Sequence, residues 1–516
     1  TGWTTELDML HAYRKSGGVA VPVSFSTSGV GSPGNFPEPA SRAEFVAGMG
    51  VGVNLGNWFD APTVGQYGGA ATQIEMIDLR AAGAGHVRLC VRWSAHATEN
   101  TAGTINAGFM DQIASLVDWL LTKFPRVILN LHHYKALHQQ AIEAPETSWS
   151  GTYSDHATRF KNMWAQIATR FAGYSKRLGF EPDNEPTGGW LTASAWNTLS
   201  QETTAIIRAS GGNNATRVVV IGPIGQNDPS QIHTLVLPAD KSNVMATVHD
   251  YQPFQYTHAG AFGSATGLNA FAGGDWLRYG YSDAWQVAKD WAVAQGVPLW
   301  GGEAGSFYGN SNGYAEATAR LRYYTALREQ HAASGDPLCF WNFKSDFGMF
   351  DQNTITGWVP GMREVISGAF EPLPALATPA GYTATVLGGT PSGWTINNTT
   401  RVITCTAETG GAQRSATIVT NMVPAVGEKY ALSVYGTPGV GLEAGVGWNS
   451  DPGAAQWWTS PGGSDAWVAP GATDTHEIVY PSGMESMPGT ARMVLNFRQA
   501  ANSAGGIIRA TLVKIS

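Results

Sequence analysis

Two glutamates carry the first chemical hint. Glu185 sits in Phe180-Glu-Pro-Asp-Asn-Glu-Pro186 and Glu303 in Gly301-Gly-Glu-Ala-Gly305, each at the end of a short apolar run. Two carboxylates brought face to face can hydrolyse a glycosidic bond. One protonates the leaving oxygen while the other attacks the anomeric carbon or activates a water, and a separation of about 5–5.5 Å gives retention of configuration. A lone glutamate in such a place is more often a solvated or salt-bridged surface residue. That reading loses weight here because other polar and aromatic groups mark similar runs: Asn54 and Trp58, Arg88, His132 and His133, His249 and Tyr251, and Trp341. The paired histidines invite a metal reading with His138 or His249. Neither HExxH nor a carboxylate-bracketed spacing occurs, so no metal or organic cofactor is expected.

These groups need a scaffold that gathers strand ends. Short apolar runs at 50–55, 86–91, 127–131, 179–183, 218–221, 244–249, 298–301 and 338–342 alternate with longer segments. Segments 110–123, 157–174, 193–210, 282–294 and 314–333 read as helices, with apolar residues at helical period. Parallel strands joined by helices form right-handed βαβ units. Eight of them predict an α/β fold, a (β/α)8 barrel over residues 44–372, whose functional groups lie at the C-terminal ends of the strands. An open doubly wound sheet is the rival. Residues 1–43 read as an N-terminal arm with a helix at 6–14 and a β-like run at 19–25, and 373–381 as a Pro/Ala linker. From 382 to 516, short alternating β-branched segments with close turns predict an all-β sandwich of jelly-roll type. The strand-like segments there are 394–396, 401–406, 416–420, 430–435, 492–497 and 507–515.

Composition narrows the partners. The 516 residues carry 31 Lys+Arg against 39 Asp+Glu, a net charge of −8, so there is no basic surplus to hold nucleic acid. Only 14% of residues are charged, while Gly reaches 63 and Trp 19. A low-charge, Gly- and Trp-rich chain suits a binder of neutral polyols, secreted or periplasmic, better than a cytosolic metabolic enzyme. No apolar stretch is long enough to span a membrane. The chain opens at Thr1, so a leader is expected to have been removed. Cys90, Cys339 and Cys405 are odd in number and without metal spacing, and they read as buried thiols.

Taken in order, the motifs resemble glycoside hydrolase family 5, the cellulase family, in its endoglucanase-like members. Gly52-Val-Asn-Leu-Gly-Asn57 resembles the opening strand. Phe160 to Phe171 followed by Phe180 to Pro186 resembles the helix and the acid/base strand. His249-Asp-Tyr-Gln-Pro-Phe-Gln-Tyr-Thr-His258 resembles a loop of that family, and Gly301 to Gly305 the nucleophile strand. The resemblance spans roughly residues 45–355. It implies a retaining (β/α)8 enzyme acting on a neutral β-glucan such as β-1,4-glucan, with Glu185 as acid/base and Glu303 as nucleophile. Asn184 would bond the sugar 2-hydroxyl, Tyr251 would donate to the nucleophile, and Arg88 would keep it ionised. His249 would stand beside the acid/base, whose surroundings should raise its pKa. His132 would line the floor, Trp341 would form the sugar platform, and Asn54 and Trp58 would lie on the glycone side.

One departure needs explanation. Pro182-Asp183 stands where the family usually has two apolar residues, so Glu181, Asp183 and Glu185 would share one side of a straight strand. A bulge or a buried partner for Asp183 is expected. Lys344 and Asp346 are candidates to reach a substrate hydroxyl or an acidic sugar. Trp149, Trp190 and Trp276 read as sugar platforms or as packing, with equal weight. The same ambiguity holds for Trp448, Trp457, Trp458 and Trp467 in the β module, which resembles a carbohydrate-binding module. A monomer is expected. The competing functional reading is a non-catalytic glycan-binding protein, and within the enzyme reading a mannan, xyloglucan or bacterial exopolysaccharide backbone stays open.

Overall fold

The computed structural model describes residues 36–146, 149–252, 257–258, 275–307, 317–351 and 357–369. Beyond these it describes 385–387, 392–397, 402–405, 413–419, 429–436, 441–449, 475–479, 492–503 and 506–514. The arm up to residue 35, the linker, Tyr256, Trp457, Trp458 and Trp467 lie outside the described residues. Two compact units emerge: Thr1–Tyr251 with Ala292–Glu371, and Gln252–Trp291 with Pro372–Ser516.

The first unit holds eight parallel strands closed into a barrel in chain order. They are β1 (Val51–Leu55), β2 (His86–Leu89), β3 (Arg126–Asn130), β4 (Leu178–Glu181), β5 (Val219–Ile221), β6 (Val244–His249), β7 (Leu299–Ala304) and β8 (Leu338–Phe340). Every residue of all eight is buried. This fits parallel strands covered on both faces, which read as continuous apolar runs rather than alternating ones. The helices are α1 (Arg42–Ala47), α2 (Gln73–Ala81), α3 (Ala107–Lys123), α4 (Tyr153–Phe171), α5 (Ala193–Ala209), α6 (Asp275–Gln295), α7 (Ala317–Ser334) and α8 (Met362–Ser367).

Helix α4 shows why these segments wind as they do. Phe160, Met163, Trp164, Ile167, Ala168 and Phe171 recur at three- and four-residue spacing and are all buried, while Thr152 and Asp155 form a capping box at its start. Gly296 and Gly335, at φ 69° and 72°, follow α6 and α7 in the left-handed conformation that ends helices without steric penalty. Helix α1 was not foreseen. It packs Phe45 against Ile128 and Met245 in a fully buried cluster with Trp300 and Cys339, and Arg126 at the start of β3 ties to it through the Phe45 carbonyl at 3.0 Å. That anchorage leaves the opposite, C-terminal ends of the strands for chemistry.

Strand register is uneven only near β7. The β6–β7 pairing shifts at Val248/His249, placing His249 opposite Glu303, and the β7–β8 pairing shifts between Gly301 and Ala304. Such irregularities re-aim side chains. Gly302 is required there, since a Cβ would lie 2.4 Å from Thr247 Oγ1 and 3.1 Å from His249 Nε2.

In the second unit, two antiparallel sheets run β10-β11-β17-β13-β15 and β14-β16-β12-β9. Their strands are β9 (Thr385–Leu387), β10 (Trp394–Asn397), β11 (Val402–Cys405), β12 (Arg414–Val419), β13 (Lys429–Gly436), β14 (Leu442–Asn449), β15 (Thr475–Val479), β16 (Arg492–Gln499) and β17 (Gly506–Lys514). Val434, Leu442, Ala444, Leu495, Phe497 and Ile508 are buried. Trp448 belongs to β14. The three cysteines are buried, and no helix among the described residues is long and apolar enough to cross a membrane.

Candidate active site

Arg88 is the hub beneath the barrel mouth. Fully buried on β2, it donates from Nε to Glu181 Oε2 at 2.6 Å. Its Nη1 donates to Glu303 Oε1 at 2.6 Å and to Asn54 Oδ1 at 2.8 Å, and its Nη2 to Asn184 Oδ1 at 2.5 Å. One planar guanidinium thus fixes side chains from β1, the end of β4, and β7, a use that needs arginine's rigid fork of donors. Burial raises the Glu181 carboxyl to about 7, although Arg88 beside it pulls the other way. Glu181 Oε1 finds no partner among the described residues.

The strand that carries Glu185 is shorter than expected. β4 stops at Glu181 because Pro182 has no N–H to offer the ladder. The Pro182 carbonyl accepts from Trp164 Nε1 at 2.8 Å, and the Asn184 amide returns to the Leu131 carbonyl at 3.0 Å. The three acidic groups therefore do not crowd one face. Glu181 meets Arg88, Asp183 accepts from His138 Nε2 at 2.7 Å in a buried pair, and Glu185 Oε1 lies 2.7 Å from His249 Nδ1. His138 is the partner that Asp183 required.

Glu303 ends in a donor cage. Besides Arg88, Tyr251 Oη donates to its Oε2 at 2.8 Å, and His249 Nδ1 stands 3.6 Å away. Burial pushes the Glu303 carboxyl up, with Arg88 and the Tyr251 hydroxyl opposing and Glu185 adding. Burial also takes the His249 imidazole down to about 3, so the ring is neutral near pH 7 and lends no charge. Arg88 and Tyr251 are then the groups that hold Glu303 as a carboxylate. Glu185 keeps 22% of its side chain exposed and, among the described residues, has neutral His249 rather than a Lys or Arg as its ion-pair partner. Burial raises it to about 7, with Arg88 and His138 opposing and Asp183 adding. Two carboxyls in one site are thus held differently, which is how acid and base roles separate. An oxygen of each, with a nitrogen of His249, lies within 4.8 Å of the others.

Beside the pair, the Trp341 and His132 rings stack at 5.6 Å and 8°. Gly56 leaves the room, for a Cβ there would sit 2.4 Å from the Trp341 ring. Asn130 Nδ2 bonds His132 Nδ1 at 3.1 Å while Asn130 Oδ1 accepts from the Val91 amide at 3.2 Å. The amide orientation makes Nδ1 the acceptor and leaves the His132 proton on Nε2. Asp60, unforeseen in the sequence, joins His132 and His133 with ligand atoms within 4.8 Å. It is fully buried, its Oδ1 held by the Trp58 amide at 2.8 Å and its Oδ2 without a partner among the described residues. The trio offers metal-type donors, yet with its Nδ1 lone pair taken by Asn130 and its proton on Nε2 the His132 ring is a hydrogen-bond donor rather than a ligand.

Several expectations shift. Asn54 lies under the site, not beside a sugar: fully buried, it donates to the Gly302 and Phe340 carbonyls at 3.0 and 3.2 Å and accepts from Arg88. Trp58 is 5% exposed, with its ring against Phe59 at 4.6 Å. Lys344 Nζ is taken up by Glu75 at 3.0 Å and the Ala70 carbonyl at 3.0 Å, so it is no free cation for substrate. Trp149 and Trp190 both lean on His156, at 4.7 and 5.6 Å, and both stay half-buried. Trp276 falls within α6.

The cellulase model of glycosyl hydrolase family 5 matches residues 46–346. Endoglucanase H of Acetivibrio thermocellus is 27% identical over 348 residues, covering 66% of this chain and 35% of its own. The chain therefore spans about a third of that relative's length. A hyperthermophilic endo-beta-1,4-glucanase solved with substrate is similar at TM-score 0.56 and 28% identity, over 64% of this chain and 99% of that one. Thermotoga maritima Cel5A solved with mannotriose is similar at TM-score 0.54 and 28% identity, over 63% and 99%. With the barrel and its paired carboxylates, the match over more than half of the sequence means that the chain belongs to the cellulase family, glycosyl hydrolase family 5.

Proposed function

We propose that the chain is a retaining endo-β-glycanase that hydrolyses β-1,4-glucan by double displacement. The observation that carries this reading is the closeness of Glu185 and Glu303, with oxygens inside 4.8 Å of one another. An inverting pair needs about 6.5–9.5 Å to admit a water between substrate and base. Glu303 attacks the anomeric carbon while Glu185 gives its proton to the leaving oxygen, and a covalent glycosyl ester forms on Glu303. Glu185, now a carboxylate, takes a proton from water, which attacks the anomeric carbon, breaks its bond to the Glu303 oxygen and frees the product with its configuration retained.

The remaining residues fit around those steps. Arg88 and Tyr251 stabilise the Glu303 carboxylate. Because Arg88 occupies Asn184 Oδ1, the Asn184 amide N–H groups are left for a sugar 2-hydroxyl, a contact that strengthens in the transition state. Trp341 offers a face to the sugar ring, half-buried His133 offers a hydroxyl partner, and buried His132 lines the floor. A mannan backbone is the second reading, favoured by the mannotriose complex of the Thermotoga maritima relative. In the second unit, a β-sandwich that binds glycan through Trp448 fits the two sheets; unchanged pelleting of Trp448→Ala full-length protein with insoluble cellulose would count against it. A secreted or periplasmic location fits the composition.

The test is Glu303→Gln against a panel of glucan, mannan and xyloglucan, read by reducing ends. Turnover should vanish while the thermal transition persists. Normal activity in that variant would refute the assignment, and the panel itself selects the backbone.

A further inference from the structure

Strand β5 is the one barrel strand to which the sequence assigned no chemistry, yet the turn after it reaches the acid/base. Asn227, fully buried at φ 58°, touches the site by three routes. Its carbonyl accepts from the His249 amide at 2.9 Å. Its Nδ2 donates to the Asn184 carbonyl, and the same Nδ2 lies 3.3 Å from His249 Nε2. Gly222, just past β5, makes the space, since a Cβ there would be 2.1 Å from Asn227 Oδ1. Oδ1 itself finds no partner among the described residues. A buried amide oxygen left without a partner costs its desolvation, so the bonds made by the other end of this amide must offset it.

The Asn184 carbonyl settles which way the amide points. Turning it over would set Oδ1 against that carbonyl, acceptor against acceptor. With Nδ2 thus fixed as donor, His249 Nε2 must accept, and the single proton of the neutral ring must sit on Nδ1. Nδ1 is the atom 2.7 Å from Glu185 Oε1. We infer that Asn227 is a positioning residue that locks His249 in the Nδ1–H tautomer and so assigns the acid/base proton to the second oxygen of Glu185.

The chemistry follows, and it rests on the role of Glu185 proposed above. Oε1 accepts from His249 throughout the cycle. The carboxyl proton is therefore carried by Oε2, from which it passes to the glycosidic oxygen as the C–O bond breaks. The carboxylate left behind keeps its imidazole donor. In the opposite tautomer, His249 Nδ1 would present a lone pair to Oε1, drawing the carboxyl proton there and away from the substrate.

Asn227→Asp is nearly isosteric and reverses the polarity, because a carboxylate can only accept from Nε2. Two readouts test the inference. Long-range proton–nitrogen spectra of the full chain, with His249 assigned by its loss in His249→Asn, should show the proton on Nδ1 in the wild type and on Nε2 in Asn227→Asp. A wild-type ring protonated at Nε2 overturns the inference whatever the activity. On polysaccharide, kcat/KM of Asn227→Asp should fall about 10²-fold, the lower end of what general acid catalysis supplies. On 2,4-dinitrophenyl β-cellobioside, whose leaving group needs no proton, the formation of the glycosyl enzyme should stay within a few-fold of wild type. Equal loss on both substrates would mark Asn227 as merely structural and overturn the inference. Glu185→Gln run in parallel separates the layers. If it lacks this leaving-group dependence, the acid/base assignment fails; if it shows the dependence and Asn227→Asp does not, the tautomer lock fails.

Discussion

Replacing Arg88 by methionine is the sharpest way to perturb the site. Methionine keeps an unbranched chain and removes the cation that touches both Glu181 and Glu303 at 2.6 Å. Breaking a buried pair by deleting one partner costs about 3–5 kcal/mol when the other must stay charged. The carboxyls escape part of that penalty by binding protons, so the loss depends on pH. Glu181 is already raised to about 7 by burial with Arg88 in place, and both groups rise further without it. A folded-state pKa above the unfolded one favours the folded state fully below the unfolded value, about 4.3 for glutamate. The advantage is lost as pH climbs through the folded value. Urea unfolding of Arg88→Met should therefore show little destabilisation relative to wild type at about pH 4.5, and about 3–5 kcal/mol at about pH 8. Hydrolysis should be lost at both, at the lower pH because a protonated Glu303 cannot attack and at the higher because its carboxylate has lost the donor that orients it. Equal destabilisation at the two pH values, or retained turnover, would refute the picture of Arg88 as the charge that holds both carboxylates.

Further expectations follow from the same geometry. The pH profile of kcat/KM should fall as pH rises through about 7, where Glu185 loses the proton it must donate; a flat profile across that value, over roughly one unit on either side, would contradict the role. His138→Ala should lower stability by about 3–5 kcal/mol in urea unfolding by stranding Asp183, whereas the double change His138→Leu with Asp183→Leu should recover most of it. A double variant as unstable as the single one would mean that the pair is not the source of the loss.

Much of this fold was readable because parallel strands buried on both faces leave uninterrupted apolar runs. The run read at 244–249 coincides with β6, and the others end within a few residues of the strands found. The largest departure at a C-terminal end occurs at β7, which continues through Glu303 to Ala304, while β2, β4 and β8 stop two residues before their runs do, β4 because Pro182 ends the ladder after Glu181. Helix α2 was missed although its Thr72–Glu75 capping box was a legible start signal. Among the site residues, those at strand ends could be listed from the runs, but their partners could not. That Asn54 serves Arg88, or that Glu181 shares the guanidinium with Glu303, is a matter of distances that no spacing encodes. Asp60 and Asn227 escaped because they lie on irregular turns after β1 and β5, where no periodicity singles out one polar residue from its neighbours. Lys344 misled for the opposite reason: it follows a functional strand end, yet Glu75, far away in sequence, claims it.

The central claim is that Glu303 forms a covalent bond to the sugar. A 2-deoxy-2-fluoro cellobioside with a good leaving group should form that bond and release it slowly, since fluorine at C2 destabilises the oxocarbenium-like transition state of both steps. Peptide mass mapping of the inactivated protein should find one cellobiosyl adduct on Glu303. An adduct on Glu185, or none on a protein that still hydrolyses glucan, would contradict the account.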